Sequence, residues 1–212
     1  MSLSFNANAA RKADTFASII KETGKYEGVI TRAEKLDSSN GTAGVGFSFK
    51  TAEGATANYL DVYTVKKDGE TLFGANIVQA VLGCLGLKEV AEGEITFDKW
   101  TKDQGIVATK AIGYPSLMGK KIGFLLQRTL ETHSKTGEDV DRVNIAAVFQ
   151  AGTGLTSSEI LDGVTKGTKT EQRLKALTPV WDRRKKGVVS RVPAGNEPPP
   201  PIEFDDIGDL KF

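Results

Sequence analysis

Residues 58–86 read NYLDVYTVKKDGETLFGANIVQAVLGCLG, and a change of period inside this stretch decides the fold. Asn58 to Tyr63 alternates, with Leu60 and Val62 on one side and Tyr59, Asp61 and Tyr63 on the other. That is the pattern of a half-buried strand. Lys67-Asp68-Gly69 then marks a turn. Ile77, Val81, Leu82 and Leu85 follow at helical spacing and stop at Gly86.

Working outward, residues 26–30 and 44–49 are two earlier strands, separated from each other and from the third by turn clusters at 37–41 and 52–54. These lengths predict an antiparallel meander. Downstream, 88–118 is mixed, with a strand over 106–112 and a turn at Tyr114-Pro115-Ser116. Two more strands cover 120–132 and 140–149, joined by a hairpin loop at 134–137. The order predicts a mainly β protein: a five-stranded OB-fold-like barrel with a helix between strands 3 and 4. Around this body (24–150) lie a lead-in (1–23) with a short helix over 9–20, and a helical basic extension (151–191). In the extension Thr156-Ser157-Ser158-Glu159 starts a helix reaching about 164, and a second covers 171–177, stopped by Pro179. Residues 192–212 hold five of the seven prolines and read as a Pro-rich linker and flexible tail.

Composition sets the outer limits. The 212 residues are 39% hydrophobic and 26% charged, enough for a core and too ordered for a disordered chain. No apolar run is long enough for a membrane helix, and Met1 to Ala10 lacks a signal-peptide layout. One cysteine, Cys84, and one histidine, His133, argue against disulfides and soft-metal sites, and a reducing intracellular setting is expected. The net charge of +1 hides a polarity: 166–191 holds nine Lys/Arg against two acids, whereas 197–212 holds five acids against Lys211.

Candidate contacts follow from residue types. Single strands are held by stacking bases on rings and tracking phosphates with cations. Tyr59 and Tyr63 share a strand face and either line a groove or cover a barrel end, while Val45, Phe47 and Phe49 are assigned to the core. Between residues 99 and 128 lie Lys99, Lys102, Lys110, Lys120, Lys121 and Arg128, with Trp100 and Tyr114 among them. This is a basic patch interleaved with rings, and a solvated loop would read the same way. Trp181 to Lys186 is a second basic block with a ring. At the end of the chain Glu203, Phe204, Asp205, Asp206, Ile207, Asp209, Leu210 and Phe212 interleave acids with large apolar groups, which suits a docking peptide better than a solubilising tail.

Catalytic patterns fail. Gly113 to Lys121 is one residue too long for a phosphate loop and lacks its Ser/Thr. Cys84 lies on the apolar helix stripe. Carboxylates such as Asp37, Asp61 and Asp98 form no clustered motif, and no cofactor or metal is expected.

The chain resembles bacteriophage single-stranded DNA-binding proteins. The resemblance is carried by Gly24-Lys25-Tyr26-Glu27-Gly28-Val29-Ile30 with Ala33-Glu34, by Gly119-Lys120, by the strand 144–149, and by a Pro-rich linker before an acidic tail ending in Phe212. It implies sequence-tolerant single-stranded DNA binding during replication or recombination in the host cytoplasm, without catalysis. It also implies that the tail docks replication or recombination proteins. The tail departs from the bacterial pattern by lacking Pro before Phe212 and by carrying Lys211. On this reading DNA contacts fall to Tyr59, Tyr63, Trp100, Lys110, Tyr114, Lys120, Lys121 and Arg128. Partner docking falls to Glu203, Phe204, Asp205, Asp206, Asp209 and Phe212. Two rivals remain: a β-rich structural or scaffolding protein without DNA affinity, and a metal-dependent nuclease using scattered carboxylates.

The tethered tail is expected to compete with DNA for the body, since linkage gives a weak contact a millimolar effective concentration. Deleting residues 203–212 should tighten DNA binding, most at low salt. Titration of the truncated chain against the full chain checks this, and equal affinities at low salt would sink the competition.

Overall fold

The structure is a computed structural model that describes residues 18–101, 103, 105–133 and 136–184. In chain order the elements are β1 (Gly24–Asp37), β2 (Ala43–Thr51), β3 (Thr56–Val65), α1 (Gly74–Leu85), β4 (Gly93–Thr101), β5 (Gly105–Gly113), a 3-10 turn (Pro115–Leu117), β6 (Lys121–Thr132), β7 (Asp139–Phe149), α2 (Ser157–Leu161), α3 (Lys169–Ala176) and β8 (Trp181–Asp182). The protein is mainly β, as expected. The described residues form eight strands instead of five, in one sheet that is not closed. Among the described residues every ladder is antiparallel except the two-residue pairing of β8 with β6.

β1 organises the sheet because it serves several partners. One edge pairs with β2 from Gly28↔Thr51 to Asp37↔Ala43. The other pairs with β6 from Gly24↔Leu126 to Val29↔Lys121, then meets β5 at Glu34↔Gly113. β8 lies beside Thr129 and Leu130, along the stretch of β6 beyond its partner Gly24.

The inner faces of β1, β2, β3, β6 and β7 enclose the main core. Ile30, Phe47, Phe49, Leu60, Ile122, Phe124 and Leu126 are fully buried in it. Phe124 stands tilted against Phe47 and Phe49, with ring centroids 6.2 and 5.1 Å away, a spacing that favours aromatic pairs. Val45, Phe47 and Phe49 are core, as assigned from sequence. α1 adds Ile77, Val81, Leu82 and Cys84 to the same cluster. It ends on left-handed Gly86, whose N–H donates to the Gly83 carbonyl, while Leu87 donates to Leu82. A smaller cluster on the other face of β6 joins Leu125, Ala147 and Phe149 to Leu174 and Leu177. Gly123 makes room for it, since a Cβ there would lie 2.1 Å from the Phe149 ring.

Other sequence expectations need correction. β4 was not foreseen within the mixed region 88–118. Ile95 and Phe97 are its only buried residues, and Lys99 and Trp100, both exposed, hide the alternation. β4 and β5 form a hairpin arm inserted between α1 and β6. The lead-in helix does not reach its expected end: residues 18–20 are extended, with Ile19 bridged to Thr56, and residues 9–17 lie outside the described part. α2 stops at Leu161, short of 164. Among the described residues no helix is long and apolar enough to cross a membrane.

The extension is held by one carboxylate. Thr156 caps α2 in a reciprocal capping box with Glu159. Glu159 is buried and accepts from the Thr156 N–H and hydroxyl, both at 2.9 Å, and from the Thr168 and Lys169 N–H groups at 2.8 and 3.0 Å. Burial opposes its charge, but the four donors outweigh it and hold the pKa at about 2. A carboxyl depressed below its ordinary 4.5 stabilises the fold above that pH, and its contribution is lost as pH falls toward 2. Glu159→Gln should therefore lower Tm at pH 7 by several degrees, and the deficit should shrink as melts are run toward pH 2. An unchanged deficit would contradict this assignment.

Candidate nucleic-acid interface

Residues paired across a ladder share a face, so the registers map the outer side of β1, β2 and β3 into rows. One row runs Lys121–Val29–Lys50–Thr56. The next pairs Arg32 with Ser48, the third runs Glu34–Gly46–Asp61, and the fourth Leu36–Gly44–Tyr63. In β3 the register slips between Phe47↔Leu60 and Phe49↔Ala57, so Asn58 and Tyr59 both stand opposite Ser48. This bulge places Tyr59 in the second row.

The two tyrosines are on this outer face. Leu60 and Val62 are 1% and 6% exposed, whereas Tyr59 and Tyr63 are 53% and 42% exposed. Tyr59 has φ of +58°, the only positive value at a non-glycine among the described residues. Such strain costs about 1–3 kcal/mol and gathers at functional sites.

Arg32, which sequence reading missed, is the centre of the face. Its guanidinium lies 5.0 Å from the Phe97 ring centroid and 5.5 Å from that of Tyr59. Its Nε donates to Glu34 Oε2 at 2.7 Å and Nη2 donates to the same oxygen, while buried Nη1 has no partner among the described residues. Gly46 makes room for this arrangement: a Cβ there would meet Arg32 Nη2 at 2.9 Å and Asp61 Oδ1 at 3.0 Å. Partial loss of solvation pushes the Asp61 pKa up, against the pull of Arg32. The only available sequence signal was the run of small residues Gly44, Gly46 and Ser48 at alternate positions of β2.

Of the expected cations, Lys121 sits in the row with Lys50, and Lys120 precedes it, its carbonyl accepting from the Ile30 N–H at 3.1 Å. Both are exposed and form no ion pair among the described residues. The other two are already paired. Lys110 meets Glu94 at 2.8 Å on the arm. Arg128 grips Asp141 through Nε at 3.0 Å and Nη2 at 2.7 Å, on the β6–β7 hairpin away from the tyrosines.

The remaining rings do not join Tyr59 and Tyr63. Trp100 is 65% exposed on the arm, directly across from Ile106. Strand alternation puts Trp100, Ile106, Lys110 and Ile112 on the arm's far side, while Ile95 and Phe97 face the body. Tyr114 is half-buried against the core beside the 3-10 turn. Burial, then the charge of Glu92, push its phenol pKa up. In the second basic block Arg183 stacks over Trp181 at 4.6 Å and Arg184 is paired with Asp182 and Asp139. Lys185, Lys186 and the whole tail with Glu203, Phe204, Asp205, Asp206, Asp209 and Phe212 lie outside the described residues.

Other chemistry finds little support at the described positions. No group of three or more His, Cys, Asp or Glu is placed to hold a metal there. Cys84 is buried and burial pushes its thiol to about 12, so it is not a thiolate at neutral pH.

If the Tyr59 ring is displayed and not structural, Tyr59→Gly should melt no lower than wild type. Release of roughly 1–2 kcal/mol of left-handed strain would offset the lost contact with Arg32, about 0.5–1 kcal/mol. A Tm drop of many degrees would make the ring a core element.

Compared with known proteins, the chain matches no family model and no curated sequence, so the reading of this face rests on its own geometry.

Proposed function

We propose that this protein binds single-stranded DNA without catalysis, laying the strand across the outer face of β1, β2 and β3. The observation that carries the reading is the coincidence, on one face, of two displayed rings, Tyr59 and Tyr63, with Lys50 and Lys121, next to which Lys120 precedes β6; none of the three lysines has an ion-pair partner among the described residues. Rings stack bases of any identity and cations follow phosphates. The order of elements supports an OB-type body: a three-strand meander, α1, then the β6–β7 pair, with β1 shared between β2 and β6 and the arm inserted. The phage setting, the host cytoplasm and the recruitment of replication or recombination proteins by the tail rest on the sequence resemblance alone.

A second reading has its own observation. Trp100, Ile106 and Ile112, 65%, 72% and 54% exposed, share one side of the arm, with the Lys110–Glu94 pair between the Trp100–Ile106 end and Ile112. A β-rich structural or scaffolding protein would use such exposed apolar side chains for contacts with other proteins. It would show no DNA affinity at low salt.

Fluorescence anisotropy with labelled oligo-dT and a duplex of equal length separates the two. The single strand should bind tighter, with affinity falling as salt rises at a slope of about −2, since three free cations contribute about −0.7 each. Lys120→Ala with Lys121→Ala should flatten that slope to roughly −0.7. Equal affinity for the two DNA forms would refute the proposal.

A further inference from the structure

Over Gly46 two groups of opposite hydrogen-bonding character stand side by side, the Arg32 guanidinium through Nη2 and the Asp61 carboxylate through Oδ1. Arg32 has committed Nε and Nη2 to Glu34, which leaves Nη1 as a buried donor with no acceptor among the described residues. Asp61 accepts no hydrogen bond and makes no ion pair there, although its Oδ1 borders the same space as the guanidinium. The Arg32 side chain is only 8% exposed. The neighbouring carboxylates, Glu34 and Asp61, would repel a phosphate. A neutral base edge meets no such penalty, and Tyr59 stands beside the space as a stacking surface.

We propose that Arg32 and Asp61, beside the Tyr59 ring, form a base-reading position that selects guanine within an otherwise sequence-tolerant strand site. Resting on the single-stranded DNA reading, this names what one position of that site recognises. Guanine presents a carbonyl acceptor, O6, followed by two donors, N1–H and the 2-amino group. O6 accepts from the edge of the Arg32 guanidinium that borders the Gly46 space, where Nη2 has a second proton beside the one given to Glu34, and the two donors are accepted by the Asp61 carboxylate. Arginine contacts to O6 are a common guanine signature. Thymine presents acceptor, donor, acceptor, so its second carbonyl would face the carboxylate. Hypoxanthine keeps O6 and N1–H but lacks the 2-amino group. Lys50 and Lys121 lie one row from Arg32 and two rows from Gly46, about 13 Å along four residues of β2. The phosphates then follow the cation row while the base enters over Gly46.

The test uses the full chain and labelled oligo-dT tracts carrying one central dG, one deoxyinosine or no replacement. The dG tract should bind at least about fivefold tighter than plain dT, the lower bound for one bidentate base contact. Deoxyinosine should lose most of that gain. Asp61→Asn, at an exposed side chain, should erase the preference, so that dG and dT tracts bind alike. Gly46→Ala should do the same by displacing the guanidinium, which covers the case in which substitution of Arg32 prevents folding. Equal binding of dG and dT tracts, or a preference that survives both substitutions, overturns this inference and leaves the single-stranded DNA reading standing. A protein that binds no tract overturns both.

Discussion

One extra residue in β1 determines what the outer face carries. Between Ile30↔Phe49 and Arg32↔Ser48 the ladder skips Thr31, so Ile30 points into the core and Arg32, two residues on, points out. In an unbroken strand those two would share a face, and a guanidinium would be driven into the packing around Phe47 and Phe49. The second bulge, in β3 opposite Ser48, does the same for Tyr59. Bulges in the two strands on either side of β2 flank one of its residues, and together they aim a cation and a ring at the same patch. The positive φ of Tyr59 is the local strain that accompanies this arrangement.

The buried side tolerates those irregularities because it is anchored elsewhere. Phe47, Phe49 and Phe124 form a contiguous aromatic layer with no exposure to solvent, and α1 covers it with Ile77, Val81 and Leu82. Each fully buried side chain of this size contributes about 1.5–3 kcal/mol. Against several such residues, one strained φ is a small cost. At the far end of the outer face, α3 closes over Leu125 and Phe149, and the capping box with Glu159 fixes the chain that leads to it. The open part of the face is therefore bounded: covered beyond Gly123, exposed around Lys50 and Lys121, and crossed by the arm at Phe97.

Charge on this surface is placed more sparingly than a count suggests. Lys110, Arg128, Arg142 and Arg184 each have a carboxylate partner on a neighbouring strand or turn. Exposed pairs of this kind contribute little to stability, about 0–1 kcal/mol, but they remove cations from the pool available to a polyanion. On the outer face Lys50 and Lys121, which have no ion-pair partner among the described residues, share one row, which gives the face a direction: a cationic edge, then Arg32 with its ring, then two carboxylates, then Tyr63.

Several features were legible in the order of residues. The faces of β3 follow from the alternation of Leu60 and Val62, the helical stripe follows from Ile77 to Leu85, and the capping box was visible as Thr156 and Glu159. These are local properties, set by the period of one element or by contacts within a turn. What the tertiary structure decided depends on two strands at once. The role of Arg32 requires the skipped residue opposite β2 and the absence of a side chain at Gly46. The separation of Trp100 from the tyrosines requires the register of the arm, and the loss of Lys110 and Arg128 as free cations requires their cross-strand acids. Alternation tells which residues of a strand share a face; only pairing tells what that face meets, because register is a relation between chains far apart in sequence.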